Sequence, residues 1–112
     1  MDYAELPEFS REIKRLSKKY RTLRDDVDEL RPILAKIQIR SASKHWNCLY
    51  NGEKMCVYKI RLACRYLKAT TMRVVYAQHN DSAKIVFIEL YFKGEKENED
   101  RDRFSQYVKN NS

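Results

Sequence analysis

Lys59 and Arg61, two residues apart, and Arg73 after a short interval are the side chains of this chain best suited to do chemistry. Residues two apart on an extended strand leave the backbone on the same side. A neighbouring strand in suitable register can set a third cation beside them. Positive charges gathered in one hollow repel one another until an anion joins them, and phosphate is an anion that guanidinium and ammonium groups bind well. A solvated cation kept for solubility is the competing reading of each residue. Histidine is less well placed. His79 ends an apolar stretch and His45 adjoins Trp46, positions that suit packing or surface roles better than proton transfer. Cys48, Cys56 and Cys64 form no CxxC pair, so reduced thiols are expected, and neither a metal nor another cofactor is expected.

The excess charge is concentrated around those cations. Residues 41–76 hold Lys44, Lys54, Lys59, Arg61, Arg65, Lys68 and Arg73 against Glu53 alone, whereas the segments on either side nearly balance. The formal net charge of +7 therefore comes almost entirely from the middle of the chain. A segregated cationic field favours a polyanion, such as nucleic acid or an acidic protein segment, over a neutral small molecule.

The elements that must position this block follow from periodicity. Residues 3–6 suit a short strand, and Pro7 suits the first turn of a helix, where its missing N–H would be unpaired in any case. Phe9, Ile13, Leu16 and Tyr20 form one helical stripe. A second helix is expected from Thr22, with Thr22 and Asp25 as a capping box and Leu23, Val27, Leu30, Leu34 and Ile37 as its stripe. Pro32 should kink that helix or end its first part near Leu30. Residues 40–54 read as a loop or short extended segment. The period then changes to two. Over residues 55–65, Cys56, Tyr58, Ile60, Leu62 and Cys64 face one way, and Val57, Lys59, Arg61, Ala63 and Arg65 the other. Residues 71–79 repeat the pattern, with Met72, Val74 and Tyr76 opposite Arg73, Val75 and Ala77. A turn at 80–82 leads to a central strand over 84–92, and a last helix is expected over 99–109. The 112 residues, 43% hydrophobic with two Gly and two Pro, make one domain with a single core rather than a disordered or linker-like chain. The order is β-α-α-β-β-β-α, an α+β fold. Its antiparallel sheet should carry the helical hairpin on one face and leave the cationic face bare. The longest apolar stretch, residues 85–92, contains Glu89, so no membrane span is expected. With no cationic leader ahead of an apolar segment, the expected location is the cytoplasm.

FSREIKRLSKKY at 9–20, DDVDEL at 25–30, VYKIRLA at 57–63, RVVYA at 73–77 and ELYFKGEKENED at 89–100 follow one another along nearly the whole chain. In this order and spacing the sequence resembles the RelE/ParE toxin superfamily of bacterial type II toxin–antitoxin systems, the RelE-like branch in particular. The resemblance implies a single toxin domain over residues 1–112. Its sheet face would bind messenger RNA in the ribosomal decoding site and cleave it without a metal, inhibiting translation, until a cognate antitoxin covers that face. Lys59 and Arg61 in YKIR match the paired cations of the branch, and Arg73 in MRVVY matches the arginine on the next strand. Lys59 would act as base if its neighbours lower its pKa, and Arg61 and Arg73 would hold the phosphate. Lys93 or Lys96 stands for the arginine that follows the last strand. Lys54, Arg65, Lys68 and Lys96 would contact the RNA backbone. The pattern departs at Asp100, where the branch carries a tyrosine near the final helix, and at Thr70 and Thr71, where relatives carry glycines. The alternatives are a ParE-like inhibitor of DNA gyrase, a non-catalytic binding module of the same fold, and an RNA-binding protein that does not cleave.

Overall fold

Pro7 sets the first corner. Leu6 before it is extended (φ −68°, ψ 152°), which ends strand β1 (Asp2–Glu5) and starts helix α1 (Pro7–Ser17) with the proline inside its first turn. Phe9, Ile13 and Leu16 are buried as their spacing requires, and the chain turns over at Tyr20, whose ring packs 5.7 Å from that of Phe92. The computed structural model describes residues 2–36, 46–62, 72–80 and 82–111. Helix α2 (Leu23–Lys36) buries Leu23, Val27, Leu30 and Leu34; Ile37 lies outside the described residues. Two details differ from expectation. The Thr22 hydroxyl donates to the Asp26 carboxylate, at 2.9 Å, and the Asp26 N–H makes the ordinary helical bond to the Thr22 carbonyl, an arrangement different from the expected capping box with Asp25. The helix also runs through Pro32 to Lys36 instead of ending near Leu30; the proline is exposed, and the helix gives up a single backbone bond there.

The segment before residue 55, expected as a loop or short extended piece, contains a strand, β2 (Trp46–Asn51), followed by β3 (Met55–Leu62), β4 (Met72–His79), β5 (Lys84–Phe92) and helix α3 (Arg101–Asn111). Among the described residues the sheet has five strands, in the order β1-β5-β4-β3-β2. It is mixed, not antiparallel, because β1 pairs parallel with β5, from Asp2 opposite Lys84 to Glu5 opposite Phe87; the other pairings are antiparallel. β2 escapes sequence reading because it is an edge strand. Its Asn47, Cys48 and Tyr50 are exposed, so it shows no alternating apolar face, and a bulge between Cys48 and Tyr50 breaks the period. Among the described residues, no helix is long and apolar enough to cross a membrane, and Cys48 and Cys56 are free thiols; Cys64 lies outside them.

The strand parities of β3 and β4 are as read. Ile60, Leu62, Met72, Val74 and Tyr76 pack under α1 and α2 with Ile85, Phe87 and Leu90, the Phe9 and Phe87 rings stacked 5.2 Å apart. The other face is not bare. Phe104 and Val108 of α3 close over Met55, Val57, Val75, Ala77, Ile88 and Tyr91, a second apolar cluster. His79 serves this packing: its Nε2 lies 2.7 Å from the Tyr107 hydroxyl, and the two rings meet edge to face.

Helices on opposite faces meet around the edge of β5. β1 stops after Glu5, where the Leu6 N–H bonds to the Phe87 carbonyl, and β5 runs on without that neighbour. The Leu90 N–H there donates to Glu12 of α1 (3.1 Å), and Arg103 of α3 donates to the Ile88 carbonyl (3.0 Å). Arg103 and Glu12 also pair with each other through both nitrogens, at 2.8 and 2.9 Å. Burial pulls the Arg103 pKa down, but Glu12, together with the charges of Glu89 and Asp100, more than offsets it and the net direction is upward. Glu12→Ala removes partners from a charged group and from a sheet amide at once. It is expected to cost roughly 2–3 kcal/mol in urea-induced unfolding, against about 0.5 kcal/mol or less for Glu8→Ala on the same helix.

Candidate nucleic-acid interface

The sheet face under α3 divides along the strands. Met55 and Val57 of β3 lie in the apolar cluster with Phe104 and Val108, and the next outward residues, Lys59 and Arg61, continue the same face as cations. Register completes the group. Arg61 is directly opposite Arg73, and Arg73 is directly opposite Tyr91, so these three form one row across β3, β4 and β5. The adjacent row is Asn47, Lys59, Val75 and Glu89. The spacing of Lys59, Arg61 and Arg73 therefore does bring three cations onto one face.

Glu89 and Tyr91 reach that face through a bulge. Val75 pairs with Glu89 but its neighbour Tyr76 pairs with Phe87, which leaves Ile88 as an extra residue in β5. Strict alternation from Phe87 would turn Glu89 and Tyr91 towards the helical hairpin. The extra residue turns them to the cationic side, and Leu90 takes the place on the hairpin side.

The cations are answered by anions from the chain itself. Lys59, 15% exposed, holds Glu99, 9% exposed, at 3.0 Å. Burial alone would raise the Glu99 pKa, but its hydrogen bonds from the backbone and Lys59, with the charges of Lys59 and Arg101, hold it below the ordinary carboxylate value. Lys59 is thus not the unpaired cation that its spacing implied. Glu89, only 1% exposed, takes the Lys96 ammonium and the Asp100 N–H (2.7 Å). Asp100 in turn accepts the Arg103 N–H at the start of α3 (3.1 Å). The segment between β5 and α3 is in this way strapped across the end of the sheet. Gly94 lets it fold back, since a Cβ there would lie 2.5 Å from the Phe92 ring.

Arg61 is exposed, and no ion pair joins it to another described residue. Arg73 is half-buried and donates to the Met72 carbonyl (3.2 Å); burial first, and the Arg61 charge second, lower its pKa, with Tyr91 opposing. Tyr91 is 3% exposed. Its pKa is pushed up to about 12 by burial and then by Glu99 and Glu89, so the phenol keeps its proton at neutral pH. Lys96 lies over its ring, 5.7 Å from the centroid.

The remaining expected residues are dispersed. Lys96 joins the group, but as the partner of Glu89. Lys93 is exposed in the turn after β5. Lys54 precedes β3, beside Asn80, at the far end of the strand from Arg61, roughly 20 Å away at the usual rise per residue. Arg65 and Lys68, like His45, lie outside the described residues. Sequence reading missed Glu99, Glu89, Tyr91 and Asn47 as members of the site. The signal for the first was the acidic run of residues 95–100, which follows a cationic sheet; the bulge left no signal for the others. The chain matches no protein-family model, no curated protein and no solved structure.

Because the folded pKa of Glu99 is depressed, its contribution to stability is complete above the unfolded value of about 4.5 and is lost as the pH falls through the lower folded value. Urea unfolding of Glu99→Gln against the wild type is expected to show a difference of about 1–2 kcal/mol at pH 7 that shrinks towards zero as the pH falls through the depressed folded value.

Proposed function

We propose that this chain acts on RNA through the cationic end of its sheet, as a toxin of the RelE/ParE kind silenced by a cognate antitoxin. The observation that carries this reading is the row in which Arg61 faces Arg73, with Lys59 one pair further along on the same side. Two strands must hold their parity and register for that to happen. The resulting cluster has the charge and spacing to grip a phosphodiester.

The chemistry within reach is transesterification of RNA. The ribose 2′-oxygen loses its proton and forms a bond to the adjacent phosphorus, and the bond from phosphorus to the 5′-oxygen breaks as that oxygen takes up a proton. A 2′,3′-cyclic phosphate and a 5′-hydroxyl remain. Arg61 and Arg73, charged at every working pH, stabilise the negative charge that develops on the phosphoryl oxygens. Lys59 serves as proton acceptor or as a third cation once Glu99 has left it. Messenger RNA on the ribosome is the substrate this reading assigns, which places the protein in the cytoplasm. The antitoxin is an acidic segment that competes for the same cations.

A second reading has one observation in its favour. Lys59 is occupied by Glu99, which suits a binding module without a catalytic base, including a ParE-like gyrase inhibitor. Expression in a bacterial host without its partner separates the two. The RNA reading expects growth arrest with new 5′-hydroxyl ends in messages, and expects Lys59→Ala with Arg73→Ala to abolish both. Arrest with intact messages and inhibited supercoiling by purified gyrase supports the second reading.

Salt dependence gives an independent measure. The log of the binding constant for single-stranded RNA should fall linearly with log salt. Arg61→Ala should flatten that slope by about 0.7, the share of one phosphate contact.

A further inference from the structure

Among the described residues, two buried polar side-chain atoms have no hydrogen-bond partner: Nε of Arg31 and the hydroxyl of Tyr91. The first has its charge answered by other means. The Arg31 guanidinium pairs with Glu5 and Asp28 at 3.6 and 3.8 Å and lies over the rings of Tyr3 and Phe87. Tyr91 has no such compensation. A buried hydroxyl without a partner opposes folding, and its retention calls for an explanation outside the fold. Its surroundings supply one. It belongs to the row of Arg73 and Arg61, and the carboxylates nearest to it are engaged elsewhere, Glu89 by Lys96 and the Asp100 N–H, Glu99 by Lys59.

We propose that Tyr91 donates its hydroxyl hydrogen to the anion bound by Arg61 and Arg73, a phosphodiester of single-stranded RNA, and that this anion reaches it by taking the place of Glu99 on Lys59. The inference rests on the RNA reading above and deepens it. One anion replaces another at Lys59, so no charge is left buried and unpaired. What the incoming phosphate gains over the carboxylate is an additional donor. The phenol remains protonated at neutral pH and so keeps a hydrogen to give. Glu99 then acts as an internal stand-in for phosphate that keeps the cations together when no nucleic acid is present.

The test compares full-length wild type with Tyr91→Phe, Glu99→Gln and the Lys59→Ala/Arg73→Ala pair, using fluorescence-detected binding of a single-stranded oligouridine at fixed low salt and thermal unfolding without RNA. Tyr91→Phe is expected to bind about tenfold more weakly while its unfolding midpoint stays equal or rises, since the deleted oxygen has no partner among the described residues. Glu99→Gln is expected to bind more tightly than wild type, and the double variant to lose binding. Wild-type binding with Tyr91→Phe within about twofold of it overturns the inference and leaves the RNA reading intact. A lowered midpoint in Tyr91→Phe overturns it as well, because the hydroxyl then serves the fold. Glu99→Gln binding no tighter than wild type refutes the exchange at Lys59. Absence of binding by the wild type removes the RNA reading and this inference together.

Discussion

The ion pair between Glu12 and Arg103 does for β5 what a longer β1 would otherwise do. β1 is short because Pro7 turns the chain into α1, so among the described residues the outer half of β5 has no neighbouring strand on that side. The Glu12 carboxylate and the Arg103 guanidinium supply an acceptor and a donor where a strand would have supplied a carbonyl and an amide. Since one comes from the hairpin layer and the other from the last helix, the pair also fixes the two layers to each other through the sheet edge. The bulge at Ile88, the burial of Glu89 and the start of α3 at Asp100 lie within a few residues of this point. The site is assembled around a repaired edge.

Charge concentrated in one part of a sequence need not remain concentrated in the folded protein. The middle of the chain contributes Lys59, Arg61 and Arg73, and β5 and the segment after it bring Glu89 and Glu99 to the same face. Such a face is stable without a ligand and yet keeps Arg61 open to solvent. On the proposed reading a polyanion binds it by exchange, so the affinity would reflect the difference between phosphate and carboxylate on Lys59, not the full attraction of a bare cationic patch.

Much of this was legible in the residues. The stripes of α1 and α2, the parities of β3 and β4 and the extent of β5 follow from apolar spacing alone, because those elements are half or fully buried and their exposed sides are polar. The three cations fall on one face for the same reason. Four features were not legible. β2 has exposed side chains and a bulge, so nothing in its pattern distinguishes it from a loop. The parallel pairing of β1 depends on where the hairpin returns the chain. The covering by α3 was not legible because the apolar spacing of Phe104 and Val108 does not say which face of the sheet they meet. Glu89 and Tyr91 were assigned no place at the site, because alternation counts residues and cannot count the one that Ile88 adds.

That added residue makes the polarity of β5 depend on the bulge and not on composition alone. A strand that kept Ile88 but lost the bulge would turn a carboxylate and a phenol into the hydrocarbon layer beneath α1 and drive Leu90 outward among the cations. Deleting Ile88 itself would instead leave Glu89, Leu90 and Tyr91 on their present sides by plain alternation, so chains sharing this architecture can shed that residue without inverting the outer half of the strand.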